Sequence, residues 1–150
     1  LSDGKSSRLY KKLVDDKKKA MQIAAFNYSL EDYGAYIVLA LPLGENTLDD
    51  LVAEIEEEIV KIQTELITEK EFQKLRNKFE NQFVNSNSSV EGIASSLATF
   101  YMLYDDINLI NSEIEIYNSI TREEIREIAN KYLKPNQRLV LDYLPKKDKE

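Results

Sequence analysis

Acidic side chains are the first candidates for chemistry in this chain. Glu54, Glu56, Glu57 and Glu58 crowd one stretch, and Asp15-Asp16 and Asp105-Asp106 are adjacent pairs. Converging carboxylates can hold a divalent cation. In the first cluster, however, they flank the apolar Ile55 and Ile59 with no ligand of another kind nearby, so a solvated helix face is expected. The aspartate pairs read as helix-end or loop residues, with a weak divalent-ion role left open for Asp105-Asp106. Ser6-Ser7 and Ser88-Ser89 are the candidate nucleophiles, but the chain has no histidine to activate them, so helix capping is the expected role. Cysteine is absent as well, which removes thiol chemistry and disulfides. Gly4, Gly34, Gly44 and Gly92 are scattered and build no phosphate-cradling loop. Tyr101, Tyr104, Tyr117, Tyr132 and Tyr143 fall on apolar faces, where core packing with a polar tip at the surface is expected, although a peptide-binding surface could use some of them.

Composition narrows the partners. The 150 residues suffice for one domain with a real core, and 43% hydrophobic with 31% charged residues describes a globular chain. A net charge of −7 argues against nucleic acid, whose phosphates need a basic face, and Lys17-Lys18-Lys19 and Lys146-Lys147 are too short to reverse it. No apolar stretch approaches the roughly 20 residues that span a bilayer, so no membrane insertion is expected. Zero cysteine fits reducing and oxidising compartments alike and leaves cytoplasm and periplasm both open.

These residues must be positioned by local structure. Leu9, Tyr10, Leu13 and Val14 recur at helical spacing behind a serine cap, predicting a short amphipathic helix over 6–18. Residues 21–29 and 33–41 read as a hairpin, stopped by Pro42 and Gly44. Apolar residues at 48, 51, 52, 55, 59, 62 and 66 form one helical stripe. Capping boxes at Thr68/Glu71, Ser88/Glu91 and Thr121/Glu124 open three more helices, with a further helical segment over 109–120. Pro135 ends the last helix, residues 138–144 alternate as a third strand, and residues 146–150 are a charged tail expected to fray. The order predicts an α+β fold, with helices packed on one face of a mixed or antiparallel sheet. Three strands are a meagre base for five helices, so the single domain over 1–150 is expected to lack its first strands.

Gly4-Lys5-Ser6-Ser7-Arg8-Leu9-Tyr10 resembles the Gly-x-Ser-Ser-Arg-Leu-Tyr segment inside each domain of the pitrilysin/insulinase zinc metallopeptidases, which include the mitochondrial processing peptidase. The resemblance extends along the chain in order. Thr68-Glu69-Lys70-Glu71-Phe72 with Leu75-Arg76-Asn77-Lys78 is similar to a recurrent helix start of that family. Ser88-Ser89-Val90-Glu91-Gly92 with Leu97 resembles the approach to its next helix. Ile120-Thr121-Arg122-Glu123-Glu124-Ile125 with Ala129-Asn130-Lys131-Tyr132-Leu133 resembles its closing helix. The resemblance implies that the chain is part of a noncatalytic C-terminal domain, whose parent protein is a zinc metalloendopeptidase. The family's zinc is held by a His-x-x-Glu-His helix. No such site can exist in a chain without histidine, so the resemblance implies no catalytic or metal residue and no cofactor here, with zinc in another domain of the parent.

In many second domains of the family an arginine, and seven residues later a tyrosine, hold the substrate backbone. Those positions fall on Val14 and Met21, which offer neither a guanidinium nor a hydroxyl. The resemblance then implies a division of labour, in which a partner chain with arginine and tyrosine at the matching positions supplies the anchoring pair; the expected assembly is with a second peptidase-like subunit or as a homodimer. The expected role is to form half of an enclosed chamber for peptide substrates, in contact with the zinc-bearing domain of the same chain. Two other readings stay open: a catalytically dead, peptidase-like assembly scaffold, and an unrelated helical binding module.

Overall fold

Leu9, Leu13 and Leu51 are sealed from solvent, and with Ala20 and Ile23 they form the apolar centre around which the first part of the chain folds. The computed structural model describes residues 1–144. They form two compact units, one of Leu1–Thr64 with the chain from Ile128 onward and one of Glu65–Glu127. The fold is α+β, as expected. The charged tail expected over 146–150 lies outside the described residues.

In the first unit a helical stretch opens with α1 (Arg8–Tyr10) and widens into a π-helical turn over Lys11–Asp16. The expected serine cap is not made. The Leu9 amide that a cap at Ser7 would bind donates instead to the Leu1 carbonyl at 3.1 Å, which leaves the buried Ser7 hydroxyl without a partner. The stretch ends at Lys18, a non-glycine residue in the left-handed region with φ 49°, where glycine is usual. Strands β1 (Ala20–Ser29) and β2 (Gly34–Pro42) then pair antiparallel, with Ile23 opposite Ala40 and Ala25 opposite Val38. Because side chains alternate, Ile23, Val38 and Ala40 meet the helical core, whereas Phe26, Leu39 and Leu41 stay exposed on the outer face. Between Ala20 and Gln22 the register slips, so Met21 has no partner on β2.

The third strand is a correction. Residues 138–144 join no ladder, and among the described residues the sheet has two strands. An alternating sequence becomes a strand only where an edge takes its amides and a layer buries one face. Here Leu139 is 80% exposed and Tyr143 97%, so neither condition is met.

Helix α2 (Leu48–Thr64) starts at a reciprocal cap: Asp50 accepts from the Thr47 amide at 3.0 Å, and Thr47 Oγ1 accepts from the Asp50 amide at 3.1 Å. Its buried line is Leu51, Glu54, Glu58 and Ile62, which is rotated away from the expected stripe toward the carboxylates. The end of α2 is tied by Gln63 Nε2, which donates to the carbonyls of Ala129 and Leu133 at 3.2 and 2.9 Å.

The second unit contains α3 (Glu69–Ser86), α4 (Val90–Tyr104), α5 (Leu109–Ser119) and the first turns of α6 (Arg122–Tyr132). Thr68 caps α3 by accepting from the Glu71 amide at 3.2 Å, and Thr121 and Glu124 form a full capping box at α6. The cap of α4 is Ser89, one residue beyond the expected Ser88, and it accepts from the Gly92 amide at 3.0 Å. Helices α3 and α5 are joined by Phe79 stacked on Tyr117 at 4.9 Å, and by Arg76, whose Nη2 donates to the Asn118 carbonyl at 3.1 Å. Tyr117 is thus packed as expected. Tyr101, Tyr104, Tyr132 and Tyr143 are exposed, which corrects the core reading for those four. Helix α4 is apolar around most of its circumference and has no buried residue, so the face that meets α5 leaves Val90, Tyr101 and Tyr104 outside.

Gly92 marks the tightest point. A Cβ there would run into the Ser86 carbonyl oxygen, a backbone atom that cannot swing away. Gly92→Ala is therefore expected to destabilise the chain by about 1–3 kcal/mol, measured by denaturant unfolding. An unchanged midpoint would show that the α3–α4 corner relaxes freely.

Candidate functional site

The charged cluster singled out by its spacing is the most organised polar feature of the first unit, but it is not a solvated face. Glu54 and Glu58 are 7% and 6% exposed, on the line of α2 that packs inward. Burying a carboxylate is costly unless its charge is matched. The matching cations come from the stretch that precedes β1. Lys12 Nζ lies 3.0 Å from Glu54 Oε2, 2.8 Å from Glu57 Oε2 and 3.1 Å from Glu58 Oε1. Lys17 Nζ donates to both Glu54 oxygens at 2.7 Å, and Lys19 Nζ to Glu54 Oε1 at 2.7 Å. Lys61, a turn further along α2, bridges Glu57 and Glu58 at 2.7 and 2.8 Å. Glu56 points elsewhere and pairs with Arg138.

These contacts set the protonation states. The hydrogen bonds from Lys17 and then Lys19 pull Glu54 from 4.5 to about 2, against the opposing effect of burial. Lys12 and Lys61 pull Glu57 to about 2 as well. For Glu58 burial acts strongly in the opposite direction, yet Lys61 and Lys12 still hold it below the ordinary value. Burial works against the charge of Lys12, but Glu57, Glu54 and Glu58 outweigh it and raise its pKa. Lys61 is raised by Glu57 and Glu58. Each carboxylate is engaged by ammonium groups, so the cluster offers a cation no free ligands.

A metal centre does not fit the remainder of the chain either. It has no histidine, and among the described residues no group of three acidic side chains could hold an ion. Asp105 ends α4 in the left-handed conformation and Asp106 Oδ1 accepts from the Asn108 amide at 2.9 Å, so this pair closes a helix and opens a turn. Asp15 and Asp16 lie exposed in the π-helical turn. Val14 packs against the edge of the Leu9–Leu13–Leu51 core. Met21 is 62% exposed at the β1 irregularity. Among the described residues no helix is long and apolar enough to cross a membrane.

The partners of Glu54 were not singled out in the sequence. A usable signal was present: Glu54, Glu58 and Lys61 share one face of α2, and Lys12, Lys17 and Lys19 supply opposite charge in the stretch that packs beside it.

Comparison with known proteins places this geometry. The sequence profile of the peptidase M16 inactive domain matches residues 1–79. Zinc protease PqqE of Helicobacter pylori is 27% identical over 137 residues, which make up 91% of this chain and 31% of that protein. The chain therefore spans about a third of the length of that curated relative. The crystal structure of a protease from Helicobacter pylori superposes with a TM-score of 0.84 at 26% identity, covering 91% of this chain and 33% of that one. The inactive peptidase domain of a Bordetella parapertussis protein superposes with a TM-score of 0.85 at 19% identity, covering all of this chain and 79% of that one.

Two outcomes follow from the ion-pair geometry. Glu54→Ala leaves the partly exposed Lys17 and Lys19 without their carboxylate and should destabilise the chain by about 1–2 kcal/mol at neutral pH, read by denaturant unfolding. Because the folded pKa values of Glu54 and Glu57 lie below the ordinary 4.5, their stabilisation is present above that value and is lost as pH falls toward 2. Unfolding midpoints recorded from pH 6 to pH 2 should decline in that window, and less steeply in Glu54→Ala.

Proposed function

Because the chain belongs to the peptidase M16 inactive-domain family, we propose that it is most of a noncatalytic domain of a zinc-dependent peptidase, forming half of an enclosed chamber for peptide substrates opposite a zinc-bearing domain of the same polypeptide. The family match over residues 1–79 is the observation that carries this reading. The absence of histidine and cysteine supports it, since this chain cannot supply a His-x-x-Glu-His ligand helix. The relatives from Helicobacter pylori, a zinc protease by name and a protease of known structure, extend well beyond the matched region and leave room for such a domain.

In the same proposal the domain is incomplete at its first strands. Two observations support this. The chain corresponds to 79% of the solved inactive domain, and its own hairpin leaves Phe26, Leu39 and Leu41 uncovered. A third feature concerns substrate anchoring. With valine at 14 and methionine at 21, this domain lacks the arginine and tyrosine that the family resemblance places there, so a second, different peptidase-like subunit with arginine and tyrosine at the matching positions supplies them.

The parent protein should hydrolyse peptides poorly alone and well once that partner is added. Full activity without the partner would refute the division of labour, and inactivity in both states would favour the scaffold reading. In the active assembly Val14→Ala should cost about 1 kcal/mol of stability and Met21→Ala, at an exposed position, within about 0.5 kcal/mol. Neither should lower turnover selectively, whereas truncating the partner's arginine or tyrosine should. Metal analysis of the 150-residue chain should find no stoichiometric zinc.

A further inference from the structure

The passage from the π-helical turn into β1 combines three features that are individually unfavourable or unusual. The turn over Lys11–Asp16 is wound wider than an α-helix. It closes through backbone bonds that reach back five and six residues, from the Lys17 amide to the Lys12 carbonyl at 2.9 Å and from the Lys19 amide to the Leu13 carbonyl at 2.8 Å. Between those two amides Lys18 holds φ at 49°, a left-handed conformation that side chains other than glycine resist. Such strain persists only where the surroundings over-determine it. Here the residues on both sides of Lys18 are pinned to one carboxylate, with Lys17 and Lys19 each 2.7 Å from Glu54.

We propose that Glu54 is a clasp that holds this strained reversal in place, and that acid opens the reversal locally while the β1–β2 hairpin stays paired. The apolar anchors Leu9, Leu13 and Val14 lie before the reversal and are not part of the clasp, so the segment that moves is confined to residues 15–19. The charged groups around Glu54 are Lys12 from the π-helical turn, Lys17 and Lys19 from the reversal, and Asp50, Glu57, Glu58 and Lys61 on α2 itself. Strands β1 and β2 carry no charged side chain. Protonating Glu54 therefore leaves Lys17 and Lys19 facing Lys12, with Glu57 and Glu58 committed to Lys12 and Lys61 and the Asp50 carboxylate bonded to Thr47, so the side-chain ties that offset the strain at Lys18 are lost. The segment that opens runs directly into Met21, whose placement at the β1 irregularity depends on where the reversal delivers the chain.

Amide hydrogen exchange on the whole chain, expressed as protection factors to remove the intrinsic pH effect, tests the clasp. In the wild-type chain the Lys17 and Lys19 amides should lose about tenfold or more of their protection between pH 6 and pH 3, because Glu54 takes up a proton more readily in the open state, while the β1–β2 ladder keeps its protection. Glu54→Gln should show the low values already at pH 6. Lys17→Met combined with Lys19→Met leaves α2 untouched and should give the same local loss, which serves where Glu54→Gln does not fold. Lys18→Gly removes the strain and should keep more protection at pH 3 than the wild-type chain does. Three outcomes would overturn the proposal: unchanged Lys17 and Lys19 protection in the clasp variants, a loss in the wild-type chain shared equally by the ladder, or protection in Lys18→Gly at pH 3 no higher than in the wild-type chain.

Discussion

The path of the chain into β1 depends on a buried carboxylate that must be neutralised. Glu54 sits on the inward line of α2, where an apolar residue would be the ordinary choice. Its presence requires cations to arrive from outside the helix, and Lys12, Lys17 and Lys19 can all reach it only if the chain between them coils tightly and reverses. The π winding and the left-handed Lys18 are consistent with that demand. The path of the backbone before β1 is then governed by side-chain electrostatics as much as by the burial of Leu9 and Leu13. Such a pair need not add net stability over an apolar replacement, but it admits few alternative arrangements.

The elements whose signals are local were legible. Capping at Thr47, Thr68 and Thr121 is decided within four residues, and the helices start where those signals stand. The hairpin strands were found within a residue or so of their ends, because β-rich runs flanked by Pro42 and Gly44 leave little choice. What was missed depends on partners remote in sequence. Ser7 looked like a cap, but the Leu1 carbonyl took the amide it would have bound. Residues 138–144 have the pattern of a strand, yet pattern alone provides no neighbouring edge.

The site illustrates the same division. Glu54 and Glu58 read as solvated because the neighbouring isoleucines offered a more hydrophobic face, and apolar periodicity cannot register a buried carboxylate whose lysines lie some 35 to 42 positions away in the chain. Tyr101, Tyr104, Tyr132 and Tyr143 were placed inside because aromatic spacing implies burial, but the first three lie on helices without enough neighbouring layers and Tyr143 on a segment that joins no ladder. Val14 and Met21 entered the reading only through the resemblance to the pitrilysin/insulinase family. Nothing in their own spacing marks them.

The uncovered outer face of the hairpin also bears on how molecules of this chain behave toward one another. Phe26, Leu39 and Leu41 form an adhesive surface, while the net charge of −7 makes every copy repel the next. Those two forces have different ranges. The repulsion extends over a screening length of about 10 Å at 0.1 M ionic strength and contracts as salt is added, whereas the apolar attraction acts at contact and persists. Colloidal stability of the chain is therefore an ionic-strength-dependent balance, set by the acidic residues outside the Glu54 cluster, whose own carboxylates are neutralised by their lysines.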